Sequence, residues 1–528
     1  MKLIDFLLTA FEVRWNTRFS VNSFGSHTSF KEFIRDVKYF LVMLKNIRDS
    51  YGTNVKVAIL AENSMDYISC YLALIFSQLS FTLIPIKTKV TSIRSIISTD
   101  EINFIFTNVD LPYLRGLPTI PWFKGIVDIR EKHYNILRSE HNFFDNEKII
   151  TLREMICEHF RPRNRKITVF SSGVDKIYPQ AVEFNSDTVY EGLIKLCNTE
   201  LLPVIENKKI HCDIDYAYAP VWSMLWPLVN GGVFAETKEH ANVLLDSSNS
   251  FEEKWNYVTE EIYEKKFIGK LLMKSWLYWL FRMVARYYLK QYLNSGTKKD
   301  AIIILNAFLS PRIMKTIAYY LPVYTTYGMQ ECNHILAIND YSTSRHEEHA
   351  CVGQFIEGVG GDVKASFAFA NEGSLTIVST ALSPNLSYEK DVWWDTRDHA
   401  SLNNNLLFIY GKMRYVIKTH TTEGANFENV ERVLKNIPYF KDVMAFDDNE
   451  GNHHLMVYPN AKVIEAMKYG LMDFMKLIEP YVGIVNTHYG LGFLSDIKIV
   501  FYDFLRSHNG KIQKGWYQAI TNQSIEES

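Results

Sequence analysis

The stretch Leu505-Arg506-Ser507-His508-Asn509-Gly510-Lys511-Ile512-Gln513-Lys514 lies close to the C-terminal end of this 528-residue sequence. Its Gly510-Lys511 pair sits in a polar turn and offers one cation on an exposed loop. Surface Gly-Lys pairs are common, so the pair takes its meaning from the passages upstream.

Working outward, Leu407-Phe408-Ile409-Tyr410-Gly411-Lys412 is a β-type run ending on a second Gly-Lys pair. Just before it, Trp393-Trp394-Asp395-Thr396-Arg397-Asp398 presents a carboxylate, Asp398, that can accept both hydroxyl protons of a ribose. The plain alternative is a solvated loop aspartate. In Val323-Tyr324-Thr325-Thr326-Tyr327-Gly328-Met329-Gln330-Glu331, an aromatic residue precedes glycine. Such a pair can lay a flat ring beside a nucleotide base while the glycine lets backbone approach closely. Glu331 is a hard oxygen donor of the kind Mg²⁺ takes between phosphates; the plain alternative is a strand-end turn with a surface glutamate. Furthest upstream, the strand-like Ile167-Thr168-Val169-Phe170 enters Ser171-Ser172-Gly173. Small hydroxyl residues and glycine let backbone N–H groups point at an anion, although a simple Ser-rich turn reads the same way.

In order and spacing, from about Val55 to Lys514, these passages resemble the adenylate-forming enzymes, the acyl-CoA synthetases and their relatives. Long-chain fatty acyl-CoA synthetases are nearest in pattern. The resemblance implies that Ser171, Ser172 and Gly173 belong to a phosphate loop. It implies that Tyr327, with Gly328, stacks on adenine and that Glu331 holds the metal. Asp398 would take the ribose hydroxyls, Lys412 would bind the nucleotide at the inter-domain crossover, and Lys511 would contact the reacting carboxylate and the α-phosphate. Asn63-Ser64-Met65-Asp66-Tyr67 and Leu83-Ile84-Pro85-Ile86 resemble the family's N-terminal region. Several positions depart from the pattern. Gln180 and Ala181 replace the lysine and final glycine of the phosphate loop, and Lys176 stands close enough in sequence to take the lysine's place. Gln330 replaces a threonine. Arg397 replaces a glycine, so a different backbone is expected there. Lys412 replaces an arginine, which keeps charge but loses the bidentate fork, and Arg414 stands at an acidic hinge position.

The implied fold is α/β: a large multi-sheet N-terminal domain over residues 1–412, and a small mobile α+β lid over residues 413–528 that rotates between two half-reactions. The implied activity is an acid–thiol ligase. It consumes ATP with Mg²⁺, activates a hydrophobic carboxylic acid as an acyl-adenylate, and passes the acyl group to CoA, to the phosphopantetheine thiol of an acyl carrier protein, or to another nucleophile. The alternative is a degenerate relative that keeps the fold as a binding or scaffold protein. Trp222, Trp226 and Phe308 suit an apolar acid pocket or a plain core.

Composition agrees with a globular chain of more than one domain. Basic and acidic residues number 57 and 59, for a net charge of −2, which leaves no global field for nucleic acid. The six cysteines are scattered without a CxxC pair, as expected in a reducing cytoplasm. Residues 1–12 read as an amphipathic helix rather than a secretory signal. The passage Phe267–Leu293 carries Lys270, Lys274, Arg282, Arg286 and Lys290, too many charges for a membrane span. It reads as a buried helix pair or as a membrane-surface helix. Strands alternating with helices over 56–107 predict a parallel sheet covered on both faces. Short β runs follow over 351–409. Beyond Gly411 come a strand at Val416-Ile417-Lys418, a helix at 428–434 and strands at 442–446 and 454–458.

Overall fold

A computed structural model describes residues 2–110, 120–131, 149–160, 165–170, 180–247, 298–305, 314, 317–318, 321–341, 350–365, 372–384, 393–417, 425–435, 437, 439–448, 452–461, 464–465, 470–492, 497–505, 512, 514 and 517. The chain divides into two units. The first holds Met1–Leu245, Gly328–Ile335 and Ser379–Val392; the second holds Asp246–Tyr327, Leu336–Val378 and Trp393–Ser528.

In the first unit, the amphipathic helix Lys2–Arg14 buries Leu3, Ile4, Leu7, Leu8 and Phe11. β1 (Arg18–Val21) and β2 (His27–Ser29) pair antiparallel. Ser29 then opens the helix Phe30–Tyr51 through a capping box with Glu32. The strands β3 (Lys56–Ile59), β4 (Ser80–Leu83), β5 (Phe104–Thr107), β6 (Gly125–Asp128) and β7 (Ile167–Phe170) run parallel, and β8 (Ala181–Phe184) adds an antiparallel edge. Their spatial order is β6-β5-β3-β4-β7-β8. The alternation in the sequence thus gives the expected parallel sheet. The crossover helix Met65–Ser77 is buried from Tyr67 onward on every side, as befits its apolar sequence.

Asn63 and Ser64 fix the entry to that helix. Asn63 Nδ2 donates to the Ile214 carbonyl at 2.6 Å, and its Oδ1 accepts the Tyr216 N–H at 2.9 Å. Ser64 Oγ caps the helix by accepting the Tyr67 N–H at 3.1 Å. Asn63 therefore clamps two chain segments 151 to 153 residues apart, while Ser64 serves its own helix. A second sheet is built from β9 (Lys209–Cys212), β10 (Val233–Ala235) and β11 (Val243–Ser247), in the order β11-β9-β10-β1-β2.

In the second unit, β12 (Ala301–Leu305) and β13 (Val323–Tyr327) are parallel. β14 (Ala337–Asp340), β15 (Cys351–Phe355), β16 (Val359–Ala365), β17 (Glu372–Ser379), β18 (Trp394–Asn403) and β19 (Leu406–Lys412) complete the order β16-β17-β18-β19-β15-β14-β13-β12. Beyond β19 the texture is α+β. β20 (Phe440–Asp447) pairs antiparallel with β21 (His453–Pro459), and β21 pairs parallel with β22 (Ile497–Ile499). The helices here are Phe427–Leu434 and Leu471–Tyr489. One expectation fails: Val416 and Ile417 form no strand. Met413–Tyr415 coil into a 3₁₀ turn, and Val416 makes only a single bridge to Asn426. Lys418 and the passage Phe267–Leu293 lie outside the described residues. Among the described residues, no helix is long and apolar enough to cross a membrane.

Candidate active site

Asp398 lies on β18 and is 5% exposed. Its Oδ2 accepts a hydrogen bond from the Tyr327 hydroxyl at 2.5 Å. Its Oδ1 pairs with Lys412 Nζ at 2.8 Å. Lys412 is the direct cross-strand partner of Asp398 in the β18–β19 ladder, so the strand register itself aims the ammonium at the carboxylate. A carboxylate out of water needs such compensation. Each of its oxygens carries two lone pairs, which leaves acceptor capacity for a vicinal diol.

The backbone around Asp398 is held by short local bonds. Thr396 Oγ1 donates to the Leu375 carbonyl at 2.9 Å and accepts the Asp398 N–H at 3.1 Å. Asp395 Oδ1 accepts the Arg397 N–H at 2.8 Å and the Ser374 hydroxyl at 2.5 Å. Arg397 has φ +57°, so it takes the left-handed conformation that suits glycine, at a cost of roughly 1–2 kcal/mol.

Lys412 is anchored from the other side. Its N–H donates to Glu428 Oε2 at 2.8 Å, and its carbonyl accepts from Asn426 Nδ2 at 2.9 Å. Asn426 also caps the helix Phe427–Leu434 through the Glu428 N–H. Gly411 has φ +149°, and a Cβ there would lie 2.4 Å from Asn426 Oδ1. Only glycine fits between β19 and this helix cap.

In the first unit, the turn after Tyr327 is tight. A Cβ on Gly328 would lie 2.3 Å from the His334 carbonyl carbon. Asn333 and His334 both have positive φ, +54° and +60°. Gln330 is 5% exposed; its Nε2 donates to the Tyr218 carbonyl at 3.0 Å, and its Oε1 accepts from His334 Nε2 at 2.7 Å. The carboxamide is thus committed to the interior. Glu331 is half-buried, and its carbonyl accepts the Ser383 N–H at 2.8 Å. Among the described residues, no group of three or more His, Cys, Asp or Glu could hold a metal ion. The Glu331 carboxylate is one hard oxygen donor in this turn, of the kind Mg²⁺ takes together with phosphate oxygens.

The whole chain has a fold already seen in solved structures. The anthranilate CoA ligase AuaEII, in complex with anthranoyl-AMP, is similar over 99% of this chain and 98% of its own, with a TM-score of 0.72 at 12% identity. This chain has the adenylate-forming fold. The O-succinylbenzoate coenzyme A synthetase of Bacillus subtilis, in complex with AMP, matches over 97% of both chains (TM-score 0.68, 10% identity). A Mycobacterium tuberculosis fatty acyl CoA synthetase matches over 99% of this chain and 98% of its own (0.62, 11%). No protein-family model matches the sequence, and no curated protein matches it. Likeness to the fatty acyl enzyme does not exceed likeness to the aryl enzyme, so the adenylate-forming fold by itself selects no subclass.

Within this adenylate-forming fold, the structure brings together Tyr327, Asp398 and Lys412. Gly328 and Glu331 follow Tyr327 directly in the chain. Ser171, Ser172, Gly173, Lys176, Phe308 and Lys511 lie outside the described residues. Gln180 is exposed and Ala181 opens β8. Trp222 and Trp226 are 0% and 2% exposed, and Trp222 Nε1 donates to the His334 carbonyl at 3.0 Å. They are core residues supporting the turn after Tyr327. From the sequence, Thr396 is read only as part of the passage before Asp398 and Glu428 only as a helix start; Asn426 and His334 have no reading there. Asn426 alone carried a local signal, a capping side chain just before an amphipathic helix.

Proposed function

We propose that this protein is an ATP-dependent acyl-adenylating ligase. Oxygen of a hydrophobic carboxylate, aryl or fatty, attacks the α-phosphorus of Mg·ATP. The bond to the β-phosphate oxygen breaks, and pyrophosphate leaves with the electron pair. A thiol, from CoA or a carrier-protein phosphopantetheine, then attacks the acyl carbon and AMP departs.

The observation that carries this reading is Asp398, buried between the Tyr327 hydroxyl and the Lys412 ammonium in a fold shared with acyl- and aryl-CoA ligases. Asp398 receives the ribose hydroxyls. Tyr327 and Lys412 orient it. Glu331 would supply one oxygen to the Mg²⁺ that accompanies the phosphates, and Ser171, Ser172 and Gly173 would cradle them. Lys511 balances negative charge shared by the carboxylate and the α-phosphate. Preorganised contacts of this kind are worth several kcal/mol. The segment after Lys412 is the pivot between the two steps.

Exchange of labelled pyrophosphate into ATP, with benzoate, anthranilate and palmitate as acids, tests the proposal. Acid-dependent exchange, lowered at least tenfold by Lys511→Ala, is the expected result. The interior commitment of Gln330 favours a second reading, a nucleotide-binding relative without turnover. It predicts AMP binding by calorimetry and no exchange with any acid.

A further inference from the structure

Three residues beyond Lys511 the sequence carries another lysine, Lys514, and the fold buries it to 3% exposure. Its ammonium stands 2.7 Å from Glu431 Oε1 and 3.4 Å from the Ala445 carbonyl. It also lies 4.5 Å from the centroid of the Tyr415 ring. Glu431 comes from the helix Phe427–Leu434 and is 8% exposed. The same Oε1 accepts the Ala445 N–H at 2.6 Å. A surface lysine in a basic tail needs none of this. A buried ion pair is also an inefficient source of stability, because apolar residues of similar volume often serve as well or better. What such a pair supplies is direction: one ammonium fixed by a carboxylate, a carbonyl and a ring face.

The neighbouring residues extend the anchorage. Ile512 and Tyr517 pack into one apolar cluster with Met444, Phe446, Val500 and Phe504. The Tyr517 hydroxyl accepts the Leu505 N–H at 2.8 Å. Leu505 on one side of residues 506–511 is thus bonded to Tyr517 on the other, while Ile512 and Tyr517 pack on β20 and Lys514 pairs with the helix Phe427–Leu434. Tyr415 belongs to the 3₁₀ turn that directly follows Lys412, and Lys412 is the cation on Asp398. Contacts therefore run from Asp398 through Lys412 and the Met413–Tyr415 turn to Lys514.

We infer that Lys514 and Glu431 are positioning residues, which tie the chain segment carrying Lys511 to the helix Phe427–Leu434 and to Tyr415. The inference rests on the ligase reading above, in which Lys511 acts on the first half-reaction. Neither residue touches substrate; both act through the placement of Lys511. Removing the anchor should impair turnover of the adenylating step while leaving nucleotide binding at Asp398 intact.

The test uses the full chain and pyrophosphate exchange with whichever of benzoate, anthranilate and palmitate gives the largest signal. Lys514→Met and Glu431→Gln should each lower the exchange kcat at least tenfold. The KM for ATP and the Kd for AMP, by calorimetry, should stay within threefold of wild type, and Lys514→Arg should recover most of the rate. Unchanged exchange in Lys514→Met overturns the inference. So does a loss of AMP affinity in step with kcat, which marks a general structural role. A wild-type protein inert with every acid overturns the ligase reading and this inference together, whereas an active wild type with an unaffected Lys514→Met overturns the inference alone.

Discussion

Lys412 faces Asp398 across the β18–β19 ladder, and their side chains close to 2.8 Å. The lysine side chain is 34% exposed and the aspartate 7%, so the pair sits at the border between a surface and a buried ion pair. Removing the cation strands a mostly buried carboxylate, though solvent reaches the lysine's place. Lys412→Ala should therefore cost about 1–2 kcal/mol in urea unfolding. It should also weaken AMP binding about tenfold in calorimetry, whereas Lys412→Arg should keep both near wild type. An alanine variant with undiminished AMP affinity would remove Lys412 from the binding site.

Arg397 pays for a left-handed backbone that its neighbours Thr396 and Asp395 impose. Its side chain is exposed, so little packing is at stake. Arg397→Gly should raise stability by up to about 1 kcal/mol, the relief of strain less the extra freedom of glycine in the unfolded chain. Arg397→Val, β-branched and worse suited to φ +57°, should lose about 1–2 kcal/mol. Thermal unfolding of the two variants checks the order; a valine variant as stable as the glycine one would contradict the strain argument.

Gln330 stands where the related motif has threonine, which invites the idea that threonine would restore a phosphate contact. The structure argues otherwise. The Gln330 carboxamide satisfies the Tyr218 carbonyl and His334 Nε2 inside the first unit, and a threonine is too short to reach both. The Tyr218 carbonyl and His334 Nε2 keep their own contact at 3.2 Å, so Gln330→Thr should lower stability by about 1–2 kcal/mol, the net worth of the two lost hydrogen bonds. Pyrophosphate exchange should not rise. A variant that gains exchange without losing stability would show that residue 330 faces the phosphates.

What could be read from the sequence was local. Lys56 to Thr107 alternates strand and helix within short reach, and its parallel sheet formed as expected. Gly328 signals close backbone approach, and it sits where a Cβ would collide with the His334 backbone. Asp398 was named for its chemistry, and the fold buries it with a matching cation. Other features depend on partners far along the chain. Nothing near Gln330 points to Tyr218, more than a hundred residues earlier. The helix Phe30–Tyr51 was passed over although Ser29 and Glu32 spell a capping box. The helix Leu471–Tyr489 runs through Pro480, which reads as a breaker; burial of Phe474, Ile478, Val482 and Val485 offsets that penalty. In place of a strand at Val416 there is a 3₁₀ turn at Met413–Tyr415, directly after Lys412, whose backbone is held by Asn426 and Glu428 from further along the chain.

Asp215 gives the chain a pH dependence with a definite sign. Its carboxylate oxygens accept the N–H groups of Ile86 and Ala217 at 3.0 and 2.9 Å, yet burial outweighs these bonds and pushes its pKa up to about 6. The unfolded chain holds the same group near 3.9. The folded state therefore binds the proton more tightly. The resulting stabilisation is complete below about pH 4 and is lost as the pH rises through 6. Urea unfolding at a series of pH values should show this fall, on the order of 2 kcal/mol. In Asp215→Asn the difference between pH 4 and pH 6 should shrink by the same amount. A variant that keeps the wild-type slope would assign the titration to another group, and one with a steeper fall would reverse the sign argued for Asp215.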